Sequence, residues 1–403
     1  MKILVTGAKG FVGRTLVAEL NTIKEGKDRT FDLESTLEIF PYDIDTDPAL
    51  LEVYCKEADF VFNLAGVNRP KNQEDFMKGN FGFATTLLDT LKKYKNTCPV
   101  MISSSIQAAL DNPYGKSKKA GEALMLAYAK ETGANVLIYR FPNVFGKWCR
   151  PNYNSAVATF CNNIANDLPI QVNDRSHPMD LVYIDDVVAE LIHAAEGHAN
   201  RVGDYCKVPV EHHTTLGEIV DLLYAFKASR ETLFVTDMLD EFSKKLYATY
   251  LSYLPVDKFS YPLISHVDTR GSFTEFLKSK ERGQVSINVS HPTMIKGEHW
   301  HHTKNEKFLV VSGKGVIRFR AMNEQAMPAI PAVLPPNVKL VESALGPIIE
   351  YYVSGDKLEV IDIPTGYTHN IECLGDCDMV TVMWCNECFN PEKPDTFFEP
   401  VKK

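Results

Sequence analysis

The sequence predicts two domains of different classes, an α/β domain with a parallel sheet over residues 1–255 and an all-β barrel over residues 256–403. In the first part, apolar runs such as KILVTG lead into glycine turns and amphipathic helical stretches, the pattern of parallel strands joined by helices. Between residues 250 and 265 two prolines interrupt the helical periodicity, and the later runs are rich in β-formers separated by glycine turns. A chain of 403 residues is also too long for one ordinary hydrophobic core.

Composition argues against several classes of function. Apolar residues make up 45% of the chain and charged residues 24%, as in ordinary soluble proteins. The net charge of −9 argues against DNA or RNA as a partner, because no basic excess is available to neutralise phosphates. No apolar run approaches the roughly 20 residues that span a bilayer, and the opening MKILVTG is typical of a strand rather than a signal peptide. We therefore expect a cytoplasmic protein without membrane insertion.

The nine cysteines are an odd number, which fits reduced thiols. Four of them lie close together in the sequence, with CxxxC and CxxC spacings that could hold zinc: Cys373, Cys377, Cys385 and Cys388. The run CDMVTVMWCNEC is more typical of a buried strand that leads into a loop, so we favour the strand interpretation.

The first glycine-rich turn predicts a dinucleotide site. It follows the strand KILVT with the spacing GxxGxxG and precedes the helical stretch RTLVAEL. Glycines permit a tight turn and let backbone N–H groups at the helix N-terminus reach a pyrophosphate. The predicted cofactor contacts in this turn are Gly7, Gly10, Phe11, Val12 and Gly13.

The next two strands predict the rest of the adenosine site. The second strand, residues 37–42, leads to Asp43 and Asp45, where a carboxylate would bind the ribose hydroxyls and repel a 2′-phosphate. The alternative is that these acids only solvate the strand end. The third strand and the helix after it supply the further predicted contacts Leu64, Ala65, Gly66 and Asn80.

The fourth strand, VMISSS, ends at Ser105, and the run NPYGKSK then provides Tyr114 and Lys118. Residues four apart share one face of a helix, and Pro113 marks its first turn. A tyrosine with a pKa of about 10 is a poor acid–base group at neutral pH. A lysine ammonium and a cationic nicotinamide both favour the phenolate, and a serine hydroxyl can hydrogen-bond the reacting oxygen. The order of these elements predicts a Ser–Tyr–Lys catalytic set.

The first half of the chain resembles the extended short-chain dehydrogenase/reductase family in the runs GAKGFVG, LAG, YGKSK, RFPNVFG and LVYIDDVV, and in the serine-rich strand end. The resemblance implies a Rossmann-type domain that binds NADPH or NADH. It implies that Ser105, Tyr114 and Lys118 are catalytic, with Tyr114 as the general acid, and that Pro142 lies beside the nicotinamide. The segment between the serine and the tyrosine is shorter than is usual in the family, so we expect a trimmed loop over the site.

The second domain carries two histidine-containing motifs. The run HWHHTKNE contains His299, His301 and Glu306 with the spacing HxH(x4)E, and PTGYTHN adds His369. Residues two apart share one face of a strand, a turn brings Glu306 back, and we expect His369 from an opposing strand pair. Three imidazoles and a carboxylate suit a divalent metal such as zinc. These motifs resemble those of cupins, which implies a jelly-roll barrel. The proline-rich stretch 321–347 is predicted to be a surface loop or a disordered insertion rather than part of the core.

The role of His299 has two interpretations. The run DTRGSFTEF followed by KGEHW resembles deoxysugar 3,5-epimerases, in which the corresponding histidine is a base that removes a proton next to a ketone. His299 is therefore either a metal ligand or a catalytic base. Both interpretations imply a ketose substrate whose C–H acidity is raised, by metal polarisation of the carbonyl or by hydrogen bonds.

Nearly the whole chain resembles a family of bifunctional capsular polysaccharide enzymes of the UDP-N-acetyl-L-fucosamine pathway. The most distinctive runs are GKWCRPNYNS, TLGEIVDLLY, DLPIQVNDR and GEHWHHTKNEKFLVVSGKGVIRFR. The resemblance implies that the cupin domain epimerises C3 of a UDP-2-acetamido-2,6-dideoxy-4-hexulose. The reductase domain would then reduce C4 with NAD(P)H to a UDP-2-acetamido-2,6-dideoxy-L-talose. It also implies a homodimer. The alternative is a reductase alone, with the cupin as a structural, metal-stabilised dimerisation module.

Overall fold

The computed structural model describes residues 1–33, 36–70, 72–323 and 329–402. Contacts within the chain divide it into two units, residues 1–224 with 239–256 and residues 225–238 with 257–403. The sequence predicts a boundary between two independently folding domains at residues 255 and 256, and this boundary stays a prediction.

The first unit contains ten strands in two sheets. The strands are β1 (Lys2–Thr6), β2 (Glu38–Tyr42), β3 (Phe60–Asn63), β4 (Val100–Ser105), β5 (Val136–Phe141), β6 (Asn143–Phe145), β7 (Pro178–Tyr183), β8 (Arg201–Val202), β9 (Tyr205–Cys206) and β10 (His212–Thr215). Seven form one sheet in the order β2-β1-β3-β4-β5-β9-β8, parallel from β2 to β9. The other three form a sheet in the order β10-β7-β6.

Helices connect these strands. They are α1 (Phe11–Lys24), α2 (Ala49–Glu57), α3 (Glu74–Phe76), α4 (Phe83–Lys93), α5 (Pro113–Thr132), α6 (Ala156–Ala165), α7 (Ile184–Ala195), α8 (Leu216–Thr232) and α9 (Glu241–Leu251). One π-helical turn, Met77–Gly82, joins α3 to α4, and short 3₁₀ turns occupy Ile106–Ala109 and Val256–Lys258. In the described part of the chain, no helix is long and apolar enough to cross a membrane.

The parallel sheet brings the predicted cofactor and catalytic segments to one edge. Alternate residues of β1 enter different apolar clusters, Ile3 and Val5 in one and Leu4 in the other, so the sheet is covered on both faces. Because β1, β3 and β4 are parallel neighbours, the segments that begin at Gly7, Leu64 and Ser105 lie at their common carboxyl edge. The α/β Rossmann-type prediction is confirmed.

The start of α5 has the local sequence that a helix needs. Asn112 is the N-cap, and its side-chain oxygen accepts a hydrogen bond from the backbone N–H of Gly115 at 2.8 Å. Pro113 occupies the first helical position, where a missing N–H has no consequence. This cap fixes where the helix begins, and so fixes the direction in which Tyr114 leaves its first turn.

The part of the second unit that forms the barrel consists of β-strands. Its strands are β11 (Ser265–Asp268), β12 (Gly271–Ser279), β13 (Gly283–Ser290), β14 (Ile295–Trp300), β15 (Glu306–Ser312), β16 (Lys314–Ala321), β17 (Val338–Val341), β18 (Ile348–Ser354), β19 (Val360–Ile363), β20 (Tyr367–Cys373), β21 (Met379–Cys385) and β22 (Phe397–Phe398). They form two six-stranded sheets, β11-β12-β13-β21-β15-β19 and β17-β18-β16-β20-β14-β22. Alternate residues pack into an apolar core that includes Phe308, Ile317 and Ile371. The prediction of an all-β jelly-roll unit is confirmed.

The loop prediction for residues 321–347 is wrong in one part. Val338–Val341 forms β17, which pairs with β18 at the edge of the second sheet. Val338 is buried there, and the burial of its apolar side chain favours pairing of this short segment despite the neighbouring prolines. Residues 324–328 of the same stretch lie outside the described residues.

Candidate active sites

The glycine turn after β1 is closed by backbone contacts. The N–H of Gly10 donates to the carbonyl of Gly7 at 2.9 Å, and Gly7 has a φ of +66°. A Cβ at Gly13 would lie 2.1 Å from the Gly7 oxygen, and a Cβ at Gly7 would lie 2.7 Å from the nitrogen of Ala65. Each substitution would therefore push β1 away from α1 or from the end of β3.

The N-terminus of α1 suits a pyrophosphate. Gly10 is the N-cap, and no side chain in the described ranges caps the helix. Phe11 and Val12 are its first two residues, so their backbone N–H groups lie where an anion would bind. The five predicted turn residues are thus brought together in the arrangement that a dinucleotide needs.

The predicted ribose acids lie in a charge-balanced group. The Asp43 carboxylate accepts hydrogen bonds from the backbone N–H of Lys9 at 2.7 Å and of Ile44 at 2.8 Å. The Lys9 ammonium donates to Asp45, which lowers the pKa of that carboxyl. The guanidinium of Arg14 donates to the Lys9 carbonyl at 2.8 Å. The negative charges of the two aspartates are thus balanced by the positive charges of Lys9 and Arg14. No net negative charge remains in this group to repel a 2′-phosphate.

Replacing Lys9 by alanine should therefore affect the two nicotinamide cofactors differently. We expect kcat/KM for NADPH to fall about tenfold and that for NADH to change less than about twofold, because only the 2′-phosphate needs a cation to offset Asp43 and Asp45. Steady-state oxidation of both cofactors measures this. Lys27→Ala, an exposed lysine paired with Glu25, is the matched control. An equal loss with both cofactors would contradict the assignment.

Asn80 supports the cofactor site from behind. It is buried in the π-helical turn, and its side-chain oxygen accepts the N–H of Val67 at 2.9 Å. Its amide nitrogen donates to the Val67 carbonyl at 3.1 Å and to the Ser117 hydroxyl at 3.0 Å. A Cβ at Gly66 would lie 2.8 Å from the Asn80 oxygen. Asn80 therefore holds the segment Leu64–Val67 against α5.

The three serines at the end of β4 have different surroundings. The Ser103 carbonyl accepts a hydrogen bond from the Lys118 ammonium at 2.8 Å. The Ser104 hydroxyl is buried and donates to Glu122 at 2.5 Å. Ser105 has a partly exposed side chain, which accepts the N–H of Gln107 at 3.2 Å. Ser105 is therefore the serine that can reach a substrate oxygen.

The environment of Tyr114 and Lys118 suits proton transfer. Burial raises the pKa of Tyr114, and a hydrogen bond with Ser105 partly offsets this, so the hydroxyl carries its proton at neutral pH. Burial lowers the pKa of Lys118 to about 8, against the opposing effect of Glu122. The Lys118 nitrogen lies 5.7 Å from the Tyr114 ring centroid. Pro142, between β5 and β6, is half-buried.

A polar cavity of about 630 Å³ in the first unit was not anticipated from the sequence. Its polar lining residues include Arg69, Asn152, Asn154, Gln171, Asn173 and His177. They come from three separate segments, and the only local sign of them is the concentration of amide side chains in RPNYNS and QVND.

In the barrel, the four predicted metal ligands meet. His299 on β14 pairs directly with His369 on β20, and His301 follows the end of β14. Glu306 is the first residue of β15, in the other sheet. The expectation that His369 comes from an opposing strand pair is wrong, because β20 is the hydrogen-bonded neighbour of β14. The carboxylate of Glu306 is the ligand that faces the histidines from the first sheet, that of β15.

A bulge in β14 directs His299 inward. Gly297 pairs with Asn370 and His299 with His369, so Glu298 is an extra residue on β14, with a φ of +62°. The Glu298 carboxylate accepts hydrogen bonds from the Asn370 amide at 2.7 Å and from the backbone N–H of Val401. These contacts hold a backbone conformation that glutamate rarely adopts.

The four side chains fit a divalent metal. Their ligand atoms all lie within 4.8 Å of one another. The Nε2 atoms of His301 and His369 lie 3.5 and 3.3 Å from Oε2 of Glu306. Within the described residues these three buried atoms have no hydrogen-bond partner. Such orphaned polar atoms are costly unless an ion satisfies them, and the donor set suits zinc.

The protonation states also suit a metal site. Burial and the neighbouring His369 lower the pKa of His299 to about 4, so its imidazole is neutral. Burial raises the pKa of Glu306, but contacts with His301 and His369 outweigh it and hold the pKa well below its usual range. Neutral imidazoles and an ionised carboxylate are the forms that bind metals.

A cavity of about 510 Å³ opens beside this cluster. His299, Glu306 and His369 line it, together with the charged or polar side chains of His266, Asp268, Arg270, Lys296 and Lys304. Arg270, Lys296 and Lys304 are cations, and Asp268 is the one acid among these five side chains. This excess of positive charge favours a negatively charged ligand. Among the described residues, no cysteine is grouped with the four ligands. Cys373 and Cys385 are buried at the ends of β20 and β21, as the strand interpretation predicts, and Cys385 pairs with Glu306 on the neighbouring strand.

Comparison with known proteins agrees with this organisation. Residues 3–205 match the model of the NAD dependent epimerase/dehydratase family. The chain belongs to this family. Residues 266–333 and 336–397 match a second model, the polysaccharide biosynthesis C-terminal domain.

Full-length relatives extend the match to both units. A UDP-2-acetamido-2,6-beta-L-arabino-hexul-4-ose reductase of Pseudomonas aeruginosa is 39% identical over 397 residues, 98% of each chain. The crystal structure of capsular polysaccharide assembling protein CapF from Staphylococcus aureus is 52% identical over 100% of both chains, with a TM-score of 0.86. CapF with the inhibitor 3-isopropenyl-tropolone matches with 48% identity, full coverage and a TM-score of 0.82. The full-length resemblance predicted from the sequence is confirmed.

Proposed function

We propose that the chain is a bifunctional nucleotide-sugar enzyme. Its barrel epimerises C3 of a UDP-2-acetamido-2,6-dideoxy-4-hexulose, and its first unit reduces the C4 ketone with NAD(P)H to a UDP-2-acetamido-2,6-dideoxy-L-talose for surface polysaccharide synthesis. The observation that carries the reductase function is the placement of Ser105, Tyr114 and Lys118 at the sheet edge that also holds the glycine turn. Full-length similarity to a 4-hexulose reductase supports the choice of substrate.

In the reduction, NAD(P)H supplies the hydride that reaches C4 of the sugar. Ser105 donates a hydrogen bond to the ketone oxygen and holds it near Tyr114. The Tyr114 hydroxyl then transfers its proton to that oxygen as negative charge develops there. Lys118, fixed by the Ser103 carbonyl at 2.8 Å, stabilises the resulting phenolate. The polar cavity lined by Arg69, Asn152 and His177 has the size and polarity to bind the UDP part.

In the epimerisation, a base removes the C3 proton and the proton returns on the other face. A divalent metal, zinc by donor set, bound by His299, His301, Glu306 and His369 would polarise the adjacent ketone. The cations of the barrel cavity attract the diphosphate. His299 is a metal ligand in this proposal, so metal-free protein should not exchange the C3 proton. If His299 is instead a base that needs no metal, metal-free protein should still exchange it. Epimerisation precedes reduction, because the 4-ketone is what acidifies C3.

Deuterium exchange tests the epimerase. We expect the 4-keto sugar, incubated with the protein in D₂O without reduced cofactor, to gain deuterium at C3, measured by NMR. Adding NAD(P)H should then give a reduced product that carries the label. Absence of label at C3 would refute the epimerase function and leave the reductase function standing.

The alternative is a reductase alone, with the barrel as a structural module. The observation in its favour is the burial of two ligands, since His301 and His369 are each 1% exposed. Closed metal sites of this kind are often structural. This alternative predicts that chelation lowers the Tm of the protein without any label appearing at C3. A homodimer stays a prediction from the family resemblance, and a cytoplasmic location stays a prediction from the composition of the sequence.

A further inference from the structure

The end of the chain lies against the metal-type site. In the second sheet, β14 is flanked by β20 on one side and by β22 on the other. β22 pairs with His299 and Trp300, and the ring of Phe397 lies 5.2 Å from that of Trp300. The backbone N–H of Glu399 donates to the carbonyl of Glu298 at 2.9 Å. The strand that carries His299 is therefore held between the strand of His369 and the chain terminus.

One residue of this terminal segment, Asp395, contacts three successive residues of the connection between the two ligands His301 and Glu306. Its carboxylate accepts three consecutive backbone N–H groups, those of His302 at 2.9 Å, Thr303 at 2.7 Å and Lys304 at 2.8 Å. It also accepts the hydroxyl of Thr303 at 3.1 Å. Its backbone carbonyl accepts a hydrogen bond from Nδ1 of His301.

These contacts fix the chemistry of His301. A carbonyl can only accept, so Nδ1 of His301 carries a proton, and in the neutral imidazole this leaves Nε2 as the nitrogen with a lone pair. That lone pair points to the side where Glu306 Oε2 lies 3.5 Å away. A hydrogen bond from the far nitrogen to a carbonyl is the usual way in which a metal-binding histidine is oriented.

The same contacts restrict the segment that connects the two sheets at the site. His301 directly follows β14 in one sheet, and Glu306 begins β15 in the other sheet. The connection 302–305 therefore crosses from one sheet to the other. A carboxylate bonded to three successive N–H groups of this crossing restricts its path. Lys304, whose nitrogen lies 3.3 Å from Oε1 of Glu306, is held by the same restriction.

We propose that Asp395 is a positioning residue for metal binding: it orients His301 through its carbonyl and sets the span from His301 to Glu306 through its carboxylate. The inference rests on the proposed metal-bearing function of the barrel. A purely structural role would make Asp395 a stabiliser of one turn, with an effect on Tm only. A positioning role requires the metal affinity of the folded protein to change.

Zinc affinity of the full-length protein separates these roles. Chelator-stripped protein is titrated with Zn²⁺ against a chromophoric chelator, at a temperature where circular dichroism shows the parent and the variants fully folded. We expect Asp395→Asn, which keeps the carbonyl and loses a carboxylate oxygen, to bind Zn²⁺ about 10–100-fold more weakly. Asp362→Asn, which removes an exposed acid paired with Lys307 on β15, should stay within about threefold.

The outcomes are distinguishable. If the parent protein binds no Zn²⁺, the proposed metal-bearing function fails. If the parent binds Zn²⁺ and folded Asp395→Asn binds it equally well, the positioning role of Asp395 fails and the metal site stands. Should Asp395→Asn not fold, Asp395→Glu, which keeps the charge and moves the carboxylate by one methylene group, is measured with the same expectation.

Discussion

Tyr114→Phe should reduce NAD(P)H oxidation in the presence of the 4-keto sugar by about 10²–10⁴-fold, the range for loss of a positioned general acid. Phenylalanine keeps the ring that packs 5.6 Å from Phe76, so binding of the cofactor should change little. Because the barrel has its own cavity and its own polar groups, deuterium exchange at C3 should persist in this variant. Stopped-flow fluorescence of the cofactor and NMR of the sugar measure the two activities on the same preparation.

Tyr94→Phe is the matched control, since the Tyr94 hydroxyl donates to the exposed carboxylate of Glu52 at 2.6 Å. Both activities of the control should equal those of the parent. A Tyr114→Phe variant that keeps its oxidation rate would remove Tyr114 from the reaction. Loss of both activities together would contradict independent sites.

Glu306→Gln should impair deuterium exchange at C3 and spare the reduction, which is the reverse of the pattern expected for Tyr114→Phe. The substitution removes the only anionic member of the ligand set among the described residues, so we expect Zn²⁺ affinity to fall by about 100-fold or more and C3 exchange to approach background. Reduction of a sugar that is already epimerised should stay within about twofold of the parent rate. Glu281→Gln, an exposed acid on the turn between β12 and β13, is the control.

This variant also decides the role of His299. If Glu306→Gln loses its metal and still exchanges deuterium, while His299→Asn does not exchange, then His299 is a base that needs no metal. If both variants lose metal and exchange together, His299 is a ligand. The two hypotheses left open by the sequence thus give opposite results in one pair of proteins.

The parts of the first site that could be predicted are local in sequence. The glycine spacing after β1 and the four-residue separation of Tyr114 and Lys118 each determine a geometry within one turn of chain. The choice of Ser105 among the three serines stays a prediction; the structure adds that Ser104 is buried and bonded to Glu122. The polar cavity escaped prediction because Arg69, Asn152 and His177 come together only through the path of loops between strands.

In the barrel, two short motifs predicted the candidate ligands, and long-range strand pairing determines how these residues are arranged. The spacing HxH(x4)E shows which residues can meet a metal, but it contains no information on which strand lies beside β14. That neighbour is β20, about 70 residues later, and its register is set by the packing of two sheets. Asp395 was missed for the same reason, since a single acid near a chain end has no local pattern.

The extra residue in β14 means that the barrel site depends on the register of this strand as well as on the chemistry of its side chains. In an uninterrupted strand, Lys296 and His299, three positions apart, would face opposite sides. Here both line one cavity, because Glu298 shifts the alternation by one step. If Glu298 instead took an ordinary place in the ladder, every histidine would remain in the sequence and His299 would still turn toward the other side of its sheet. An intact HxH spacing in a related chain therefore indicates an intact site only where the bulge is kept as well.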